Sequence, residues 1–307
     1  MINPLVSVII PNYNHSQYLE NRIVTVLNQT YQNIEVIILD DKSNDNSLEV
    51  IERYRNHPKV ALIVVNEQNT GSPFKQWDKG INLAKGELIW IAESDDYNEL
   101  TFLEEMITEW GKHKDVVVAF SNYVLFGDGW CSKNKERKTR CYTGEEYVCK
   151  RLARRNYILN ASGVVFANKA YQNISKEYLT YKSAGDFHFW VELLRHGNVI
   201  RLGKNLTYFR QNNTSVTGTN GTKGIVSAED KRVYDYICAN YSLSALQKRI
   251  VNVEKFQKYQ TEHYDSEDIR MQVFSLWNIN TNQSISKLDK FMMWLVGSLE
   301  RHFGILI

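Results

Sequence analysis

The sequence predicts an α/β fold: a Rossmann-like, mostly parallel sheet flanked by helices, with a helical C-terminal extension. Three observations predict it. Short β-branched runs at 6–10, 34–39, 60–65 and 88–92 alternate with stretches of helical periodicity, and continuous apolar runs suit strands covered on both faces. Polar residues collect directly after those runs, at Asn12 to Asn14, Asp40-Asp41 and Asp95-Asp96. From about residue 225 the chain turns helical in pattern and poor in Gly and Pro. The expected division is a domain over 1–224 and a helical extension over 225–307.

The elements follow in order. The first run stops at Pro11, and Ser16 then opens a helix with Leu19, Ile23, Val26 and Leu27 on one face. Residues 34–39 form a second buried strand, 47–54 a helix and 60–65 a third strand. Residues 74–85 are helical, with Gly86 where a left-handed C-cap belongs. A fourth strand at 88–92 runs into Glu93-Ser94-Asp95-Asp96, followed by a helix at 100–110 and a strand at 116–120. Later come a short strand at 164–167, an aromatic helix at 187–194 and a strand or hairpin at 198–210. Ligands of such sheets bind beyond the carboxyl ends of the strands. The three polar clusters are therefore expected to converge there.

Composition narrows the class. Of 307 residues, 37 are Lys or Arg and 35 Asp or Glu, a net charge of +2 that marks no nucleic-acid binder. No apolar run reaches the roughly 20 residues of a membrane span, and residues 1–5 do not read as a signal peptide. Four cysteines without a CxxC pair read as free thiols in a reducing cytoplasm. Residues 133–155 hold nine Lys or Arg against three Glu. They read as a solvated loop, or as an attractor for an anionic membrane or a lipid-pyrophosphate acceptor. Residues 287–303 are amphipathic, with Leu288, Phe291, Met292, Leu295, Val296 and Leu299 on one side. That helix either packs on the first domain or lies peripherally on the inner face of the membrane.

The acidic clusters carry the chemistry. Asp95-Asp96 could simply cap the next helix. Glu93 and the Asp40-Asp41 pair argue for more, because clustered carboxylates repel one another unless a cation or a donor network compensates. A hard ion, Mg²⁺ or Mn²⁺, held by one or two carboxylates and completed by substrate phosphates, is the usual compensation. GxGxxG after the first strand, GxxxxGK[ST] and GxSxG are all absent. Their absence argues against a dinucleotide site, a P-loop NTPase and a serine hydrolase.

The runs VSVIIPNYNHSQYL, LNQTYQNIEVIILDDKSND and AKGELIWIAESDD resemble the family 2 glycosyltransferases, which adopt the GT-A fold. The resemblance is dense over 5–125, looser over 158–215 and absent beyond 225. It implies that Pro11, Asn12, Tyr13 and Asn14 line the donor nucleotide and that Asp41 accepts hydrogen bonds from its base. Asp95 and Asp96 match the metal and ribose motif, Asp96 nearer the ion and Asp95 nearer the ribose. Glu93 stands where many relatives have Asp. Asp186, in AGDFHFW, resembles the element that supplies the catalytic base, with Gly185 in place of its Glu; the reading of Asp186 as a helix cap stays open beside it. Arg210 reads as a contact to the leaving diphosphate or as a structural partner, and Asn212 replaces a His that can contribute to the metal site.

The reaction implied is inverting transfer from a nucleotide-diphosphate sugar to a hydroxyl of a saccharide or lipid-linked saccharide acceptor. It depends on Mg²⁺ or Mn²⁺ and serves bacterial surface polysaccharide synthesis (capsule, O-antigen or lipopolysaccharide). Two alternatives stand beside it. One is a nucleotidyltransferase on a similar fold, whose Gly-rich phosphate loop is missing. The other is an inactive nucleotide-sugar binding module, against which Asp41, Asp95, Asp96 and Asp186 argue.

Overall fold

The computed structural model describes residues 2–127, 129–211, 220–280, 285–303 and 306. It divides into two compact units. The first comprises 1–142, 158–179 and 192–212, and the second 143–157, 180–191 and 213–307. The second unit thus takes in two earlier segments beside the C-terminal helices. Asn212 lies outside the described residues.

In the first unit, β1 (Val6–Asn12), α1 (Ser16–Leu27), β2 (Ile34–Asp40), α2 (Ser47–Glu52), β3 (Val60–Val65), α3 (Pro73–Leu83) and β4 (Leu88–Ile91) follow in strict alternation. A two-residue β5 (Tyr97–Asn98), α4 (Phe102–Trp110), β6 (Val116–Gly127), β7 (Trp130–Lys133) and β8 (Arg140–Thr143) come next, and later β9 (Val164–Ala167) and β10 (Asn198–Arg210). The sheet order is β3-β2-β1-β4-β9-β6-β10-β5, with β7 paired to β6 and β8 to β10. β1 to β4 are mutually parallel, as are β6 and β10. β9 runs antiparallel between β4 and β6, and β5 antiparallel to β10.

The apolar runs act as their composition requires. Every residue of β1 is buried. Ile23 and Val26 of α1, Val36 and Ile38 of β2, Trp90 of β4 and Phe102 and Met106 of α4 share one core. Full burial of each such side chain stabilises the fold by about 1.5–3 kcal/mol. Trp90 spends its indole N–H on the carbonyl of Ser162 at 2.9 Å, so the core retains no orphaned donor there.

Two expectations are corrected. β3 is not covered on both faces: it is the sheet's edge strand, with Leu62 and Val65 exposed. Gly86 is not a left-handed cap, because α3 ends at Leu83 and Gly86 is not among the positive-φ residues. Glycine is required there by proximity. A Cβ at Gly86 would stand 2.6 Å from the main-chain nitrogen of Ser7 and 2.7 Å from the carbonyl oxygen of Leu5.

The second unit is largely helical. The short helix α5 (Gly144–Tyr147) is part of it, while α6 (Asn168–Tyr171) belongs to the first unit. Then come α7 (Gly185–Leu193), α8 (Ile225–Asn240), α9 (Ala245–Thr261), α10 (Glu267–Leu276) and α11 (Lys287–Phe303). Ser244 caps α9 through a reciprocal pair with Gln247. Tyr259, Val273, Phe274 and Trp277 form this unit's apolar cluster. Beside it, the buried Asp230 accepts from Lys255, Lys258 and the Tyr259 hydroxyl, each at 3.1 Å.

Candidate active site

Three strand ends meet at the carboxyl edge of the first unit's sheet. Parallel pairing sets Asn12 opposite Asp40 on β2, while on the other side Ile9 lies opposite Ile91, just before the acidic turn. The buried Asn12 amide donates to Asp40 Oδ2 at 2.9 Å and to Ser43 Oγ at 3.2 Å. Asp40 also accepts the main-chain N–H of Ser43. Asp40 is thereby spent on joining the loops after β1 and β2. Pro11 is buried in β1, whereas Tyr13 and Asn14 are exposed. Asn14 sits at φ 55°, with its side-chain Oδ1 accepting the main-chain N–H of Asn44 at 2.7 Å.

Asp41 is 4% exposed. Its carboxylate accepts from Asn66 Nδ2 at 2.7 Å, Thr70 N at 3.0 Å, Thr70 Oγ1 at 2.8 Å and Gln76 Nε2 at 3.0 Å. All of these donors come from the segment running from β3 into α3. Two buried acceptors in the same network, Asn12 Oδ1 and Gln76 Oε1, have no partner among the described residues. Lys79 of α3 donates to Asn66 Oδ1 beside this network.

The turn after β4 sorts its carboxylates by environment. Trp77, next to Gln76 on α3, donates Nε1–H to Glu93 Oε1 at 2.7 Å. Burial, reinforced by the charge of Asp95, pushes Glu93 up to about 8. Asp96 is 4% exposed and both of its oxygens are engaged. Oδ2 accepts from Asn160 Nδ2 and Ser162 Oγ, each at 2.8 Å, and Oδ1 accepts the main-chain N–H of Arg210 at 2.9 Å. Burial and the neighbouring Asp95 raise Asp96 to about 6. Asp95 is half-buried, and its carboxylate has no hydrogen-bond partner among the described residues. Ser94, between them, meets His15 Nδ1 through its hydroxyl at 2.8 Å.

A buried cation lies against this turn. Arg22 of α1 donates Nε–H to the Glu93 carbonyl at 2.7 Å and Nη1–H to Asn98 Oδ1 at 2.8 Å. Burial lowers it to about 10, so it remains protonated at neutral pH, in the field of Asp96, Asp95 and Glu93. Part of the carboxylate repulsion is therefore met by the protein itself. The available signal was a charge set among Leu19, Ile23 and Val26 on the apolar face of α1. Arg210 is also anchored: its guanidinium lies 4.1 Å from the Tyr18 ring centroid and 4.4 Å from that of Phe126, and Nε–H donates to the Asp95 carbonyl at 3.0 Å.

Among the described residues, no group of three or more His, Cys, Asp or Glu side chains is placed to hold a metal ion. The free Asp95 carboxylate is nevertheless a hard oxygen donor. A hard dication that takes one or two carboxylates and completes its shell with substrate phosphates fits such a partial site.

Asp186 belongs to the second unit, in the first turn of α7. Asn156 Nδ2 donates to Asp186 Oδ2 at 2.9 Å. Burial raises Asp186 to about 7; donors from Phe187 and Asn156 work the other way, and the charge of Asp230 adds to the rise. The approach to α7 is organised by Glu229 on α8. Its carboxylate accepts the consecutive main-chain N–H groups of Lys182, Ser183 and Ala184 at 2.6, 2.8 and 2.8 Å. Sequence reasoning passed over Glu229, which carries no local mark of that role.

Comparison with known proteins adds four findings. The model of one family, Glycosyl transferase family 2, matches residues 7–173. Glycosyltransferase GlyG of Streptococcus pneumoniae is 27% identical over 285 residues, covering 87% of this chain and 92% of that protein. Among solved structures, S. aureus TarS 1–349 in complex with UDP superposes with a TM-score of 0.65 at 21% identity, over 95% of this chain and 78% of that one. The mannosyltransferase PcManGT of Pyrobaculum calidifontis, in complex with GDP-Man and Mn²⁺, gives 0.59 at 12% identity, over 98% and 82%.

Proposed function

The chain belongs to glycosyl transferase family 2, and from this premise we propose that it moves a sugar from a nucleotide-diphosphate donor to an acceptor hydroxyl with inversion at the anomeric carbon. The observation that carries the reading is the division of labour in the turn after β4. Asp96 is saturated by protein donors, Glu93 is half-buried and held by Trp77, and of the three only the Asp95 carboxylate has no partner among the described residues.

In this reading Asp95, rather than Asp96, faces the ion, and Asp96 fixes the turn that presents it. Mg²⁺ or Mn²⁺ bound there would supply charge neutralisation for a departing diphosphate. Arg22 and Arg210 hold the turn from the protein side, through the carbonyls of Glu93 and Asp95. The loops ending in Asn14 and Asn44 form the nucleotide side. The unspent acceptors Asn12 Oδ1 and Gln76 Oε1 support a ligand edge that brings N–H donors, as a nucleobase does. Asp186 takes the proton of the attacking hydroxyl, since a carboxylate held near 7 is matched to accepting a proton at neutral pH.

The acceptor we assign to an anionic, lipid-linked saccharide of a surface polysaccharide. The exposed cations Lys133, Lys135, Arg137 and Lys138 of the first unit support that class. Four free cysteines agree with a reducing, cytoplasmic setting.

The test is a thermal-shift and turnover screen of UDP-, GDP- and dTDP-sugars with Mn²⁺ or Mg²⁺. One nucleotide sugar at about 100 times its Kd should stabilise the fold by about 2.7 kcal/mol, and only with the ion present. If no nucleotide sugar stabilises the protein under any ion, the reading is wrong.

A further inference from the structure

The helix α11 presents apolar residues on two sides, and one side is left uncovered by the described residues of its own unit. On the inner side of α11, Val296 is buried and Asp289 accepts from Arg249 Nε of α9 at 2.8 Å. That ion pair and the buried valine fix which way the helix faces. On the outer side Leu288, Phe291, Trp294 and Leu295 are 63%, 57%, 60% and 39% exposed. Their spacing of three, six and seven residues places them on one stripe. The Phe291 and Trp294 rings stack at 5.8 Å between centroids. The expected single apolar face is thus split between two sides. Scattered exposed apolar residues are ordinary, but a contiguous stripe marks an interaction surface.

The charges beside the stripe are one-sided. Lys287 and Lys290 are exposed, and neither has an acidic partner among the described residues. Asp289 is already spent on Arg249.

We propose that this face docks on an anionic lipid bilayer, with α11 lying in the plane of the interface. The stripe enters the boundary between headgroups and acyl chains, Phe291 and Trp294 leading, while Lys287 and Lys290 meet anionic headgroups. Among the described residues this helix, at 17 residues and with charges near its start, is not long and apolar enough to cross a membrane. A second copy of the chain fits less well, because a twofold contact through the stripe would bring the unpaired lysines of both copies together. This inference goes beyond the transfer reaction and does not depend on it.

The test is co-flotation of the full chain with vesicles of phosphatidylcholine alone or mixed with phosphatidylglycerol. The full chain should float with the mixed vesicles and lose binding as salt is raised. Phe291→Ser combined with Trp294→Ser should reduce binding about tenfold or more, and Lys287→Glu combined with Lys290→Glu by a similar factor. Thermal unfolding should stay unchanged in both variants, since these side chains are exposed. The proposal is overturned if the full chain ignores phosphatidylglycerol vesicles, or if both double variants bind as it does. It is equally overturned if light scattering finds a dimer that Trp294→Ser separates, which would assign the face to a second copy.

Discussion

The main-chain N–H of Arg210 donates to Asp96 Oδ1 at 2.9 Å, joining the end of the sheet's longest strand to the acidic turn after β4. With Asn160 and Ser162 on its other oxygen, Asp96 is a buried acceptor on which three segments close. Asp96→Ala should therefore unfold more easily, by about 2–4 kcal/mol, because it strands buried donors. Asp95→Asn should unfold like the parent chain yet lose ion-dependent donor binding. Melting curves and donor titration of the two variants separate these effects. Equal loss of stability in both would refute the division of roles.

The activity profile should have an acid limb set by Asp186. Burial holds that group near 7, above the usual carboxylate range. Only its deprotonated form can take a proton from an acceptor. Hence kcat/KM should rise about tenfold per pH unit below roughly pH 7 and level off above it. Asn156 donates to the carboxylate and so favours the charged form. Asn156→Ala should move the limb to higher pH while the plateau stays within a few-fold. Asp186→Asn should lose turnover by about 10²–10⁴-fold with donor affinity retained. A limb that stays in place in Asn156→Ala would remove Asp186 from the proton transfer.

Glu229 offers a test of positioning within the second unit. Its carboxylate collects three successive N–H groups just before Asp186. Glu229→Gln turns one acceptor oxygen into a donor facing those groups, and should cost about 1–3 kcal/mol of stability. Turnover should fall about tenfold, with KM for the donor unchanged. Glu229→Asp, which keeps the charge, should recover part of both. An unaltered kcat in Glu229→Gln would show that the segment before α7 is held by other contacts.

The sheet and the location of its chemistry were legible because their signals are local. Apolar runs stop at Pro11, Asp40 and Glu93, and parallel register then carries Asn12, Asp40 and Asp96 to one edge. What escaped was set by partners far along the chain. Asp95 and Asp96 are identical side chains in adjacent positions; Asn160, Ser162 and Arg210 alone distinguish them. Burial of Arg22 depends on the Glu93 carbonyl, 71 residues away. The reversed direction of β9 follows from where the chain re-enters between β4 and β6, and four apolar residues carry no record of direction. Gly86 was misread for a similar reason, since helix ends are commonly closed by a left-handed glycine and the crowding comes from a strand 79 residues earlier.

That crowding yields the last prediction. Gly86 donates its N–H to Ser7 Oγ at 2.7 Å and packs against the main chain at Leu5 and Ser7. A methyl group at 86 would overlap main-chain atoms, which cannot swing aside as a flexible side chain would. Gly86→Ala should thus cost about 2–3 kcal/mol, in the range of overpacked cores. Any relief must come from separating the start of β1 from the entry to β4, the two strands that carry Asn12 and the acidic turn. Donor affinity should fall together with stability. Gly221→Ala is the matched control: among the described residues nothing lies within 4 Å of a Cβ there, so it should melt within about 0.5 kcal/mol of the parent. A Gly86→Ala chain as stable as that control would mean that the β1–β4 junction is looser than its packing implies.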